Sequence, residues 1–288
     1  MQEGIKTMEL LKGAPAAKRI TEDLQARVNA LPRKPRMAFV RLGEEPGDLS
    51  YERAAIKRIE KIGAEWVLKA YPRDMEEEAF LREFKAVNED PSIDGILLFR
   101  PLPKQIDERK AAALVRPEKD LDCMSDLSFA AVMKGTEGFA PCTAEAVTAI
   151  LHAYGIETEG KRVVVVGRSL VIGRPAAMLL LQENATVTIC HSKTADLQKV
   201  CREADILVAA LGRAEKIDAS YVKEGAIVVD VGIHVKEDGS LCGDCLAESV
   251  SEKASMMTPV PGGVGAVTTA VLASHLVRAC EMRTGEKE

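Results

Sequence analysis

One stretch of the chain combines residue types and spacing suited to phosphate chemistry. Residues 163–175, Val-Val-Val-Val-Gly167-Arg168-Ser169-Leu-Val-Ile-Gly173-Arg174-Pro175, read as a strand, a tight glycine turn and a helix start. Such a turn lets backbone N–H groups approach a pyrophosphate at the positive end of a helix. The common G-x-G-x-x-G spacing is absent, because Ser169 stands at the middle glycine, and many strand–glycine–helix turns bind nothing. The next strand adds a second clue. A dinucleotide fold that prefers NAD commonly carries an acid about 20 residues on, accepting hydrogen bonds from the adenosine ribose. Here residues 186–190 run into His191-Ser192-Lys193-Thr194, with no acid at the strand tip. Arg168 in the first turn, with Ser192 and Lys193 in the second, suits a ribose 2′-phosphate better than a bare diol. NADP is therefore the expected cofactor. The alternative is that Arg168 and Lys193 are solvated surface charges.

A turn of this kind needs alternating strands and helices to hold it, and the chain shows that alternation twice. In the first half, residues 37–42, 65–70 and 95–99 are short apolar runs rich in strand formers. Charged segments of helical periodicity, 51–62 and 76–87, lie between them, a βαβαβ pattern. The second half has continuous apolar runs at 162–166, 186–190, 205–210 and 226–231, as expected for parallel strands covered on both faces. Residues 118–142 lack periodicity and carry Pro141; a helix over 143–154 then leads to Gly160, and a last helix is expected over 266–281 after the turn 261–265.

Composition excludes several classes of function. The 288 residues are 47% hydrophobic and 29% charged, the profile of a soluble globular chain with room for two domains. A net charge of −5 provides no basic footprint, so nucleic acid is not the expected partner. Residues 1–20 carry charges throughout and lack the apolar core of a signal peptide, and the mildly apolar stretch 262–277 reads as a buried helix, not a membrane span. A cytoplasmic location is expected. The seven cysteines are scattered and read as reduced thiols. Cys242 and Cys245 form a lone CxxC, which reads as ordinary thiols in a turn, since a structural zinc would need a second ligand pair. No metal is expected.

The motifs taken together resemble one family. The stretches GRSLVIGRP (167–175), HSKT (191–194), ADILVAALG (204–212), GAIVVDVGI (225–233) and TPVPGGVG (258–265) are similar to the bifunctional methylenetetrahydrofolate dehydrogenase/methenyltetrahydrofolate cyclohydrolase family. So are PGDLSY (46–51), GILLFRPLP (95–103), PEKDLD (117–122) and PCT (141–143), in the same order along nearly the whole chain. The resemblance implies an α/β fold of two domains. Residues 1–145 with 266–288 would form a folate-binding catalytic domain, to which the closing helix returns, and 146–265 a Rossmann-like NADP domain, with substrate in the cleft between them. It further implies that Gly167, Arg168, Ser169, Gly173, Ser192 and Ile233 serve NADP. Tyr51 would stack on the folate, Asp122 would hold the pterin, and Phe99, Arg100, Pro101, Pro261, Gly262 and Gly263 would line the substrate site. A homodimer is implied as well. The chemistry suits these roles, because a flat ligand needs a flat wall such as Tyr51, and pterin N–H donors need an acceptor such as Asp122. Without the resemblance, Tyr51 would read as a half-buried helix residue and Asp122 as a turn or cap.

The pattern breaks at the substrate wall. The family places a lysine four residues after the tyrosine, one helical turn on; here that position is Ala55, with Pro46 and Gly63 keeping their expected distances. Lys57 lies two residues beyond Ala55, roughly 200° around a helix. Arg58 is nearer the right face but does not readily exchange its proton. Phe99 stands where a glutamine is usual and Arg100 where an apolar residue is typical, while Ala144, Ala266 and Val267 replace the family's continuations of its two proline motifs. Hydride transfer depends chiefly on aligning two rings, whereas ring opening by water requires moving protons, a contribution of about 10²- to 10⁴-fold. The expectation is thus an NADP-dependent dehydrogenase of one-carbon chemistry with weak or lost cyclohydrolase activity, Arg100 being a candidate replacement cation. The rivals are a fully bifunctional enzyme, a non-catalytic NADP- or folate-binding paralogue, and a dehydrogenase acting on a different small ring.

Overall fold

A computed structural model describes residues 8–285. Along the chain, β1 (Glu9–Leu10), α1 (Gly13–Ala30), β2 (Arg36–Leu42), α2 (Pro46–Lys61), β3 (Glu65–Tyr71), α3 (Glu77–Glu89) and β4 (Gly95–Leu98) come first. Next are α4 (Glu108–Leu114), α5 (Asp126–Lys134), α6 (Cys142–Ala153), β5 (Arg162–Val166), α7 (Gly173–Gln182) and β6 (Thr186–Cys190). They are followed by α8 (Leu197–Cys201), β7 (Ile206–Ala209), β8 (Ile227–Asp230), β9 (His234–Val235), β10 (Leu241–Cys242), α9 (Ala247–Val250), β11 (Met256–Met257) and α10 (Thr268–Gly285).

The contacts divide the chain into two compact units. One holds Lys18–Cys142 with residues 269–285, the other residues 8–17 with Thr143–Thr268. This differs from the expected division at the start of the chain, because β1 pairs in parallel with β11 and so enters the sheet of the second unit. Two residues of strand are too short to read from periodicity, and their partner lies far along the sequence. Residues 1–7 and 286–288, which the expected division also assigns, lie outside the described residues.

The first unit is a parallel sheet of order β3-β2-β4. On one face Ala38, Val40, Leu42, Ile96 and Leu98 pack against Phe80 and Phe84, which are four residues apart on α3 and stack with ring centroids 5.6 Å apart. On α2, Glu52, Ala55 and Ile59 form the buried face, at the three- and four-residue spacing that lines one side of a helix. The last helix returns to this unit, as the resemblance implies. Arg283 of α10 donates to the buried Asp94 at 2.9 Å, and Glu281 of α10 accepts from Arg27 of α1, also at 2.9 Å.

The second unit is a six-stranded, all-parallel sheet of order β1-β11-β8-β7-β5-β6. The interior strands β5, β7 and β8 are almost wholly buried, as their apolar runs predict. The outer strand β6 is different: Thr186, Thr188 and Ile189 are exposed, because a strand at the sheet edge has a neighbour on one side only. Residues 118–142 also depart from expectation by containing α5. Ser125 caps it by accepting from the Ser128 N–H at 3.1 Å, and Gly135 ends it in the left-handed region at φ 65°. Both are recognisable stop and start signals, but only Ser128 and Val132 are buried, so no apolar stripe announces the helix. The helix α2 begins at Pro46, earlier than the expected residue 51, with proline in the first turn, where its missing N–H costs no bond.

Candidate active site

The glycine turn of the second unit is held by close backbone crossings. A Cβ on Gly167 would strike the carbonyl oxygen of Ala210, and one on Gly173 would strike the carbonyl oxygen of Gly167. Gly167 also has φ 155°, at the limit of what residues with a side chain adopt. Ser169, at the place of the middle glycine, uses its hydroxyl to accept from the N–H groups of Ile172 and Gly173 at 3.1 and 3.3 Å. The Arg174 N–H donates to the Ser169 carbonyl at 3.1 Å. These helix-start amides are satisfied within the turn, so side chains carry more of any phosphate recognition than the glycine pattern alone implies.

A cavity of about 340 Å³ opens beside this turn. Of the residues expected to serve NADP, Gly167, Arg168, Ser169 and Ser192 line it together. Gly173 lies behind, packed on Gly167, and Ile233 is outside the lining, on the exposed stretch after β8. Lys193 is also outside it; the Lys193 N–H donates to His191 Nδ1 at 3.1 Å, which closes the second turn. Two cations not singled out from the sequence, Arg213 and Lys216, do line the cavity.

The loop that carries Arg213 is fixed by a buried carboxylate network. Asp244 accepts from the N–H groups of Leu211, Gly212 and Arg213 at 2.6, 3.1 and 2.8 Å, and its Oδ1 lies 2.8 Å from His234 Nε2. Asp230, at the end of β8, accepts from Gly232, Asp244 and Cys245 N–H at 3.0, 3.0 and 2.9 Å. Burial pushes the Asp230 carboxyl up, against the pull of those three amides. The CxxC is thus a turn wrapped around Asp230. Burial beside that carboxylate pushes the Cys245 thiol well up, the reverse of the thiolate a metal ligand requires. Among the described residues no group of three or more His, Cys, Asp and Glu is placed to hold a metal ion. Sequence reading missed Asp244 because the three amides it holds lie more than 30 positions away on another loop.

Tyr51, Phe99, Arg100, Pro101 and Asp122, the residues expected to meet the substrate, all lie in the first unit. Tyr51, in the second turn of α2, meets Phe99 edge to face, with centroids 6.4 Å apart and planes at 78°. Phe99 is itself buried, its N–H donating to Val40 at 2.9 Å, and Arg100 and Pro101 follow through a cis peptide. Arg100 Nη1 lies 3.4 Å from Glu108. The Asp122 carboxyl accepts from the Cys142 N–H at 2.8 Å; desolvation pushes it up, opposed by that hydrogen bond and by the charge of Arg100. The neighbouring Leu121 carbonyl accepts from His275 of α10, with Nδ1 at 2.7 Å, which pins the segment bearing Asp122. No local pattern could reveal this contact, since 154 positions separate the pair.

Ala55 has no exposed surface. Lys57 is exposed on another side of α2, and Arg58 donates to Thr21 at 2.6 Å. Neither cation takes the place the family gives to lysine. A feature of the same helix not apparent from sequence is Glu52, which is buried and pairs with Arg41 of β2 at 2.9 Å. The remaining expected substrate residues, Pro261, Gly262 and Gly263, belong to the second unit. There the Gly13 N–H donates to Gly262 at 2.8 Å, and a Cβ on Gly263 would lie 2.5 Å from the Pro259 carbonyl.

A parallel six-stranded sheet with a tight glycine turn beside a cation-lined cavity, joined in one chain to a second α/β unit, defines an NAD(P)-linked enzyme class. Comparison with known families narrows this. Residues 11–122 match the tetrahydrofolate dehydrogenase/cyclohydrolase catalytic domain, and residues 141–284 match that family's NAD(P)-binding domain. The chain belongs to the tetrahydrofolate dehydrogenase/cyclohydrolase family. It is 48% identical over 282 residues to the bifunctional protein FolD of Clostridioides difficile, covering 96% of this chain and 98% of that relative. Among solved structures, the bifunctional enzyme FolD of Campylobacter jejuni superimposes with a TM-score of 0.92 at 36% identity, covering 96% of this chain and 99% of that one. The Trypanosoma brucei methylenetetrahydrofolate dehydrogenase-cyclohydrolase, complexed with NADP cofactor and inhibitor, gives 0.89 at 32% identity, covering 96% and 98%.

Proposed function

We propose that this chain oxidises 5,10-methylenetetrahydrofolate to the methenyl form with NADP, and that it opens the methenyl ring by adding water as a second and slower step. The observation that carries the first part is the cavity where the Gly167–Gly173 crossing brings Arg168, Ser169 and Ser192 together. Its close backbone approach and its cation-plus-hydroxyl lining fit a phosphorylated dinucleotide. NADP, when bound, supplies the acceptor for a hydride. The protein's share is alignment. Tyr51, held at its edge by Phe99, offers a flat wall to the folate. Asp122, anchored by the Cys142 amide, offers an acceptor to the N–H donors of a pterin.

For the hydrolytic step, two observations point in different directions. The relatives named bifunctional favour both activities, and that reading has the wider support. The buried Ala55, with Lys57 and Arg58 directed elsewhere, leaves this chain without the lysine that would move a proton, which favours slow hydrolysis. The test follows pure protein with methylenetetrahydrofolate and NADP, recording methenyl formation and its decay separately. Formation with decay only modestly faster than in buffer, and an increase of about tenfold or more in decay for Ala55→Lys, is the expected result. Decay as fast as formation would remove the slow-hydrolysis reading and leave the bifunctional one. No formation, with NADP still bound, would favour a non-catalytic paralogue or a different ring substrate. A homodimer rests on the same resemblance and a cytoplasmic location on composition; sedimentation and cell fractionation test them.

A further inference from the structure

We propose that Arg213 and Lys216 complete the binding site for the ribose 2′-phosphate and set the preference of this chain for NADP over NAD, an inference that rests on the NADP reading above. Both residues come from the loop after β7 and line the same cavity as Arg168 and Ser192. Leu197 and Tyr221 supply its less polar wall, so one cavity presents cations beside a surface suited to a nucleoside.

The three cations remain available to a ligand. Among the described residues Arg168, Arg213 and Lys216 take part in no ion pair, although Lys216 lies near enough to Asp218 to help lower that carboxyl, which itself accepts from the Ser220 N–H. Glu215, between Arg213 and Lys216, pairs with Lys236, and the nearby Arg202 donates to the Ser220 carbonyl at 2.8 Å. The loop is held in place from below. Asp244 accepts the N–H groups of residues 211 to 213, so the backbone of Arg213 is fixed even though its side chain is exposed. A fixed stem with an unspent charge lowers the ordering cost of gripping an anion.

Charge arithmetic favours the 2′-phosphate as the target. A phosphate monoester carries about −1.5 to −2 at neutral pH, more than a single guanidinium offsets. Lys193, the second cation suggested by the sequence, is not in the cavity lining, which leaves Arg168 as the sole cation there unless the β7 loop contributes. Arg213 and Lys216 supply the remaining charge. NAD, which lacks that phosphate, gains little from them.

The experiment titrates NADP, NAD and adenosine 2′,5′-bisphosphate into the full chain, into the Arg213→Ala/Lys216→Ala double variant, and into Lys199→Ala, which removes an exposed cation outside this cavity. For the double variant, binding of NADP and of the bisphosphate is expected to weaken about tenfold, with NAD changing by less than about threefold. Lys199→Ala is expected to bind all three like the parent chain. Rising salt should weaken NADP binding more steeply in the parent than in the double variant. Equal weakening of NADP and NAD would overturn the assignment in favour of a pyrophosphate or folding role. Unchanged NADP binding would overturn it outright. If the parent chain bound neither NADP nor the bisphosphate, the NADP reading itself would fall, an outcome distinct from both.

Discussion

The nucleotide turn of the six-stranded unit and the Tyr51–Asp122 wall of the three-stranded unit are constructed on opposite principles. The turn is made of backbone: Gly167 and Gly173 are required because carbonyl groups occupy the space of their side chains, and Ser169 serves the loop's own amides. The wall is made of side chains, and its geometry depends on what packs behind them: Phe99 behind Tyr51, Cys142 and His275 around Asp122, Arg41 under Glu52. A backbone site tolerates few substitutions and so remains recognisable. A side-chain site can change one residue at a time, and its chemistry can change with it. Cofactor class is therefore the more readable property of this chain and the second reaction step the less readable one.

The largest effect on binding that would break this contrast is at the crossing. Gly173→Ala places a methyl group on the Gly167 carbonyl, and NADP binding should fall by about 100-fold or more, equivalent to ~2.7 kcal/mol. Titration with NADP alongside a thermal melt separates lost binding from lost folding. Retained affinity would mean that the turn is adaptable and that the backbone argument fails.

On the buried face of α2, Glu52→Ala would leave the Arg41 guanidinium, beside the Gly43 carbonyl, with only the exposed Glu44 at 3.8 Å as a carboxylate partner. Unfolding by denaturant should register a loss of roughly 3 kcal/mol, the cost typical of breaking a buried pair. A loss under about 1 kcal/mol would class the pair with surface ion pairs.

The smallest effect sharpens the role of Asp122. Asp122→Asn keeps an acceptor for the Cys142 amide but loses the charge, and the folate KM should rise about tenfold. Because burial raises the Asp122 carboxyl above the ordinary carboxylate range, the ionised acceptor is lost earlier on acidification than an exposed aspartate would be. The folate KM of the parent chain should therefore climb as pH falls through that raised value, while the variant stays flat. Parallel profiles would exclude Asp122 as the titrating group.

Much of the fold was legible because it follows from local patterns. Residues 162–166 and 186–190 were expected as strands and are strands with those bounds, since hydrophobic runs between turn residues have few other options. The helix α5 and the strand β1 were not legible. The first lacks an apolar stripe, and the second is defined by a partner more than 240 positions away. In the site, Arg168 and Ser192 were legible from type and spacing. Arg213 and Lys216 were not, because nothing in the loop sequence says which cavity it borders.

By itself the sequence determined two α/β units and the glycine turn with its cation and hydroxyl, properties of residue type at short range; the lysine replaced by Ala55 was legible only through the family resemblance. Tertiary structure alone decided that Lys193 stays out of the cavity that Arg213 and Lys216 enter, that Asp244 holds the loop leading into Arg213, and that Ala55 is sealed by packing. The reason is one of range. Periodicity and turn chemistry act over a few residues, whereas burial and hydrogen-bond partners are set by segments brought together only when the chain has folded.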